Sequence, residues 1–544
     1  MEPQPSAKQW KFAFVAVLAV SASVFFVGLG TLGFLGPDEP RYAEVAREMF
    51  ASGDYISTRL CGCLWFEKPV LLYWMSAAGY HLFGVNEFAA RLPSALAALS
   101  TVAFIFFALR RLSLPRVGLA ASLVLATSGI FIAYARVATP DMLLTAAIAA
   151  ALLAALLFTR VSGRARSIYW GISWLLMGFG MLAKGLVGFL LVLAILAVYL
   201  MVSGQLRSVR WRDLVVGIVV FLLAAGTWYV PVIARHGWAF IDEFFIRHHF
   251  ERYTTNEFGH PQPVYFFFLV ALAGTAPWIP FLVPGIRRLR ALKPRDSNRD
   301  AVMTMAWVWV AVPLLFFSIS ESKLPGYILP IFPALAIIIG VEVERVWSGD
   351  LNGARRFALW VTAFTLTAMG AGFLFFLHRE SVDLKGWQTV LAGLPLALAL
   401  ASVAALVAHR QRALIAGAAG VVLALVLASV ILLFPTLRDE VSLKSLSLEA
   451  AAALRPGEKI GFYLKKEFAP VFYADGRVLC DPRRGTTFYA LHQDMVADAL
   501  AVEPSLILIT DSRWVEGLEN DVRFRTEFIA AHDDSLALRV WLKK

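Results

Sequence analysis

The stretch from Gly36 to Phe50 reads GPDEPRYAEVAREMF and follows directly on an apolar run from Phe12 to Leu35. It opens with two acids and a base around a proline. Comparable groups recur further along: Glu67 and Lys68 in LWFEKPV, Asp141 in YARVATPD, Lys184 in LAKG, and Lys323 with Tyr327 in SISESKLPGYILPIFP. Ionisable groups at the mouths of apolar segments are expensive to keep there and point to function by default. Carboxylates such as Asp38 and Asp141 can orient an acceptor or take its proton, and cations such as Arg41, Lys68, Lys184 and Lys323 can neutralise charge growing on a phosphate. Plainer roles stand beside these. Asp38 and Asp141 are good helix N-caps, and the lysines can snorkel to headgroups.

A later stretch, RHGWAFIDEFFIRHHFERY, gathers Arg247, His248, His249, Glu251 and Arg252 among aromatics. Imidazole and carboxylate suit a divalent metal such as zinc, so His248 and His249 with Glu67 form a candidate metal set, although adjacent side chains often diverge. Lys323 and Tyr327 lie on a proline-broken link, and broken backbone at membrane depth is tolerated where it lines a cavity. A cation and an aromatic there suit the phosphate of a lipid. Of the three cysteines, Cys61 and Cys63 lie close together and Cys480 lies far away. That spacing predicts free or locally paired thiols rather than a metal site.

The elements that must position these groups are membrane helices. Of 544 residues, 59% are hydrophobic and 16% charged, and the mean hydropathy is +0.68. These values exclude a soluble globular protein and predict a polytopic α-helical membrane protein. About thirteen apolar spans can be counted, near 12–35, 88–109, 117–135, 141–159, 168–183, 186–203, 214–234, 264–284, 301–320, 327–344, 357–377, 389–408 and 413–434. The first is too long for a signal-peptide core and is expected to stay as a helix. Alternate links such as RRLSLPR, RVSGRAR, GQLRSVRWRD and HRQR are strongly basic, which places them and the N-terminus in the cytoplasm. Much of the net charge of +11 is therefore topological, and no nucleic-acid partner is expected. The chemically suggestive residues all fall on the opposite links.

Within residues 36–87, Tyr42, Val45, Ala46, Met49 and Phe50 recur at helical spacing. This predicts an amphipathic helix at the membrane surface, started by Asp38 or Glu39 and ended by Gly53. After residue 434 the composition changes. The runs KIGFYL, PVFYAD, SLILITD and LALRVWL predict strands, and SLKSLSLEAAAALRPG a helix. The chain thus divides into a transmembrane domain, 1–434, and a small α/β domain, 435–544, on the outer side.

Taken together and in order, PDEPRYAEVAREMFASGDY, FEKPVLLYW, TPD, LAKG, FFIRHHFERY and SKLPGYILPIFP resemble the polyprenyl-phosphate-sugar-dependent glycosyltransferases. The branch they resemble is that of the lipid A 4-amino-4-deoxy-L-arabinose transferases, relatives of the protein O-mannosyltransferases. The resemblance covers roughly Leu29 to Ala334. It implies the GT-C fold, with an active site at the outer face of the bacterial inner membrane. It also implies an undecaprenyl phosphate aminoarabinose donor, a lipid A phosphate as acceptor, and resistance to polymyxin and other cationic peptides. One departure stands out: where the family usually shows Glu-His, this chain has His248-His249, which favours a metal.

On this footing Asp38, Asp141, Lys68 and Arg41 are the expected catalytic residues of an inverting pentosyltransferase. Tyr42, Glu67, Lys184, Arg247, Lys323 and Tyr327 are expected to bind substrate. A divalent metal, zinc or magnesium, is expected on Glu67, His248 and His249, with no organic cofactor. The protein is expected to be a monomer among membrane lipids. The alternatives are the same chemistry on a protein or polysaccharide, or a lipid transporter; the latter places its polar residues near the midplane and often repeats its halves.

Overall fold

The computed structural model describes residues 7–251, 262–465, 467–480 and 490–543, with the side chains of 7, 8, 247–251 and 490 outside that description. Helix α1, Ala7–Phe26, stops sooner than the apolar run predicts. Gly28 takes a left-handed conformation, φ 66°, which releases the chain into an irregular turn. Helix α2, Asp38–Ser52, follows. It buries Tyr42, Val45, Ala46 and Met49, and Gly53 closes it at φ 69° with its N–H donating to Met49 O at 3.0 Å. The expected cap is corrected here. Pro37 occupies the N-cap position with no side-chain hydrogen bond, so Asp38 is not spent on capping.

A two-strand hairpin, β1 (Arg59–Leu60) and β2 (Cys63–Leu64), turns through Cys61 and Gly62 at φ 53° and 74°. Two positive φ values match the right-handed twist of the strands they join. Helices α3 (Leu71–Phe83) and α4 (Glu87–Arg111) come next, then α5 (Pro115–Ala126), α6 (Gly129–Ala135), α7 (Pro140–Arg160), α8 (Arg164–Lys184), α9 (Leu186–Val202) and α10 (Trp211–His236). The alanine-rich α7 is buried almost throughout. Small side chains are what allow membrane helices to close around one. Gly340 shows the same need: a Cβ there would stand 2.6 Å from Ala121 N.

Among the described residues, nine helices are long and apolar enough to cross a membrane, or eleven if the bent pairs α5–α6 and 266–291 each count as one span. The expected thirteen is not reached on those criteria. Predicted spans 168–183 and 186–203 correspond to α8 and to the 17-residue α9, and neither passes as a full span.

The basic links converge at one end of the bundle. Arg160, closing α7, donates to Asn298 Oδ1 at 2.8 Å and Pro294 O at 3.2 Å, while Asn298 Nδ2 reaches Leu112 O at 3.0 Å. Arg295 Nε donates to Ser203 O at 2.9 Å. At 21 residues, α7 is about 30 Å long, so Asp141 lies a membrane's thickness from these links.

Toward the C-terminus, strands β3 (Lys459–Tyr463), β4 (Ala490–Leu491), β5 (Leu506–Asp511), β6 (Phe524–His532) and β7 (Ser535–Leu542) form one sheet in the order β4-β3-β5-β7-β6. The β3 pairings are parallel and those of β7 antiparallel. PVFYAD is corrected from strand to helix: Ala469–Tyr473 is helical, with Pro470 in its first turn. The predicted helix ends at Ala453. This unit docks on the helical part through Tyr473, whose hydroxyl accepts from Phe34 N at 2.9 Å and donates to Glu87 Oε1 at 2.8 Å. Phe34 packs edge-on against Phe472 at 4.9 Å.

Candidate active site

A buried ion pair sets the site's geometry. Glu39, 2% exposed, sits in the first turn of α2, where the helix dipole favours an anion. Arg91 on α4 grips it from Nε to Oε1 at 2.9 Å and from Nη2 to Oε2 at 2.8 Å. The remaining guanidinium protons go to Leu29 O at 3.0 Å and to Leu32 O and Gly33 O at 2.8 Å. Glu39 also accepts from Leu35 N at 2.9 Å and Ala138 N at 2.6 Å. All five donors of Arg91 are thereby used, which offsets the cost of burying the charges. The same pair clamps both the turn before Asp38 and the segment leading to Asp141. Sequence reasoning offered Glu39 only as a cap and missed Arg91, because nothing in an apolar helix names the distant partner of one arginine.

The first cluster grows from α2. Asp38, 46% exposed, accepts from Arg41. Arg41 also lies 3.3 Å from Glu67, whose other oxygen accepts from Lys68 Nζ at 2.9 Å. Rings enclose the guanidinium: Tyr42 at 5.3 Å, Trp65 at 5.7 Å and, from the C-terminal part, Phe468 at 5.1 Å. Burial works against the Arg41 charge, but Tyr42, Glu67 and Asp38 outweigh it and hold the proton. Burial, joined by Glu67 and Asp38, keeps Tyr42 a neutral phenol well above its ordinary range. Arg41 Nε and the Tyr73 hydroxyl are buried without a hydrogen-bond partner among the described residues. Orphaned donors in a polar pocket are what a bound oxyanion satisfies.

A second cluster joins α7, α8 and the broken link. Lys184, at the end of α8, donates to Asp141 Oδ1 and stands 5.0 Å from the centre of the Tyr327 ring. Asp141 does not cap α7; Thr139 holds that position with no side-chain bond. Tyr327 lies in a 3-10 turn, Pro325–Ile331, as the prolines predict. Tyr134 on α6, missed by sequence reasoning, packs its hydroxyl against Gly326 within electrostatic reach of both Asp38 and Asp141. It stands between the two clusters.

The other expected residues fare differently. Lys323 is 5% exposed, donates to Ser320 O and helps line a cavity of about 460 Å³ with Gln262, Ser320 and Glu321. Arg247, His248 and His249 lie on a π-helical segment, Asp242–Glu251, but their side chains fall outside the described residues, as does the whole of Arg252. Glu67, the described member of the expected metal set, is already engaged by two cations. Among the described residues no group of three His, Cys, Asp or Glu could hold a metal ion.

The chain is similar to proteins of known name and structure. Residues 67–230 match the family described as Dolichyl-phosphate-mannose-protein mannosyltransferase. The undecaprenyl phosphate-alpha-4-amino-4-deoxy-L-arabinose arabinosyl transferase of Pseudomonas aeruginosa (strain UCBPP-PA14) is 31% identical over 367 residues, covering 65% of this chain and 64% of that protein. The match thus spans less than two thirds of that relative's length. The enzyme of the same name from Pectobacterium carotovorum is 29% identical over 430 residues, or 72% of this chain and 75% of that one. The crystal structure of ArnT from Cupriavidus metallidurans bound to undecaprenyl phosphate superposes with a TM-score of 0.81 at 26% identity, covering 98% of both chains. The chain therefore has the GT-C fold, superposes end to end on ArnT of Cupriavidus metallidurans, and over about two thirds of its length is similar in sequence to the 4-amino-4-deoxy-L-arabinose transferases.

Proposed function

We propose that this protein transfers 4-amino-4-deoxy-L-arabinose from undecaprenyl phosphate to a phosphate of lipid A, with inversion, at the periplasmic face of the bacterial inner membrane. The observation that carries the reading is the meeting of Asp38, Arg41, Glu67 and Lys68 at the end of the bundle that also holds Asp141, Lys184 and Tyr327. The basic links lie at the opposite end, which supports an outward-facing site by the positive-inside rule.

The leaving group is already a phosphate, so the protein need not protonate a poor one. An oxygen of the acceptor phosphate attacks the anomeric carbon while the bond to the undecaprenyl phosphate oxygen breaks and its electron pair leaves with that phosphate. Arg41 and Lys68 stabilise the departing charge, with the Tyr42 and Tyr73 phenols as neutral donors nearby. Lys184 and Tyr327 hold the second anion, and Lys323 lines the adjoining cavity. Asp38, half-buried and free of a capping role, faces the sugar, where it takes the proton of a monoanionic acceptor or pairs with the sugar ammonium. Glu67, His248 and His249 would hold a divalent metal, which would supply further positive charge for the leaving phosphate. Activity lost to a chelator and restored by zinc or magnesium supports that set; activity kept after stripping removes it.

Transfer masks negative charge on lipid A and confers resistance to polymyxin. The protein acts as a monomer. The test is the mass of lipid A from cells lacking their own aminoarabinose transferase, complemented with this chain or with Asp38→Ala. An aminoarabinose increment absent from the variant supports the proposal. If both insert and neither modifies lipid A, the substrate is wrong and another polyprenyl-linked sugar or acceptor takes its place.

A further inference from the structure

The β1–β2 hairpin turns beneath α2, where Gly62 N donates to Glu48 Oε2 at 2.9 Å. Cys61 occupies the first turn position and is half-buried. From the other side, the segment after the 469–473 helix crosses the same end of α2. Asp475 lies 3.4 Å from Arg47, and a Cβ on Gly476 would be 3.2 Å from Arg47 Nη2. The segment is then held along β3, with Leu479 N donating to Ile460 O at 2.7 Å, and delivers the half-buried Cys480. Both cysteines pack on one hydrophobic core at this end of α2, and their thiols interact. That contact, with burial, holds the Cys61 proton on. The expectation of free or locally paired thiols in the first loop did not anticipate this neighbour, 419 positions away in sequence.

We infer that Cys61 and Cys480 form a disulfide that staples the first loop to the C-terminal sheet. The inference rests on the outward placement of both segments in the proposed function, since disulfides persist in oxidising compartments. The oxidant is the disulfide of an extracytoplasmic thiol oxidoreductase. Its disulfide accepts the two electrons and two protons of the Cys61 and Cys480 thiols, passing through a mixed disulfide, and leaves as a dithiol. The bond fixes the 468–480 segment over α2 and with it Phe468 against Arg41.

The full chain, trapped at lysis with N-ethylmaleimide and digested without reductant, tests this. The expected result is a linked peptide pair containing Cys61 and Cys480, with one blocked thiol, Cys63, before reduction and three after it. Cys480→Ser should show two blocked thiols and no linked pair, and reduction should lower the Tm of the parent chain but not of this variant. Three blocked thiols in the native chain, or a Cys61–Cys63 link, would overturn the inference. A membrane-impermeant maleimide applied to reduced intact spheroplasts separates the two readings: unlabelled cysteines there would defeat the outward placement, whereas labelled cysteines with no linked pair would defeat the disulfide alone.

Discussion

Arg91 holds both carboxylate oxygens of Glu39, at 2.9 and 2.8 Å, and spends its other donors on the three carbonyls of the turn between α1 and α2. One ion pair thus positions Asp38 by its chain neighbour and Asp141 through Ala138. Arg91→Ala would strand a buried carboxylate and should cost about 3–5 kcal/mol. Thermal unfolding in detergent should show the loss, together with reduced transfer. Glu39→Gln, which keeps the shape and some of the bonds, should be milder in both.

Asp38 is not a cap, so its replacement should separate stability from chemistry. Asp38→Asn removes one of the two carboxylates on Arg41 but leaves Glu67, so it should cost about 1 kcal/mol of unfolding free energy, while transfer falls on the order of a hundredfold. Equal losses in both would make Asp38 a structural residue.

Asp141 and Lys184 form a pair in which each leaves the other exposed to the cost of an uncompensated charge. Asp141→Asn and Lys184→Met should each lower the Tm more than expected from surface changes, and the double variant should recover part of it. Transfer should stay low in all three. A double-mutant cycle with no coupling in stability would refute the pairing.

Arg41 is enclosed by Tyr42, Trp65 and Phe468 and bridges two carboxylates. A lysine keeps the charge but cannot make the planar stack or the two-sided contact. Arg41→Lys should therefore fail to restore transfer, and Phe468→Ala should raise KM for the donor more than it lowers kcat. Steady-state kinetics with a synthetic lipid-linked donor decides both.

Asp54 gives a pH prediction. Burial alone would raise its pKa, but the Ser57 and Ile56 N–H groups, the Ser57 hydroxyl and Arg235 pull it down to about 2. The unfolded chain binds this proton near pH 4, so its contribution is present above that value and lost as pH falls toward about 2. Asp54→Asn should flatten this part of the acid-unfolding curve.

Much of this protein was legible in one dimension. Hydropathy placed the helices because a bilayer forces backbone groups to bond internally, and the alternation of basic links separated the two ends. Turn residues marked Gly53 and the broken link at Pro325 because left-handed φ and a missing N–H leave local signatures. Glu67 beside Lys68 and the Lys184 break were visible as charges that an apolar segment would not carry idly. What required tertiary structure were the partners: Arg91 for Glu39, Tyr134 beside Gly326, Phe468 over Arg41 and Cys480 against Cys61. Each joins segments far apart in the chain, and the free energy of such a contact depends on where two helices meet, which no local pattern encodes.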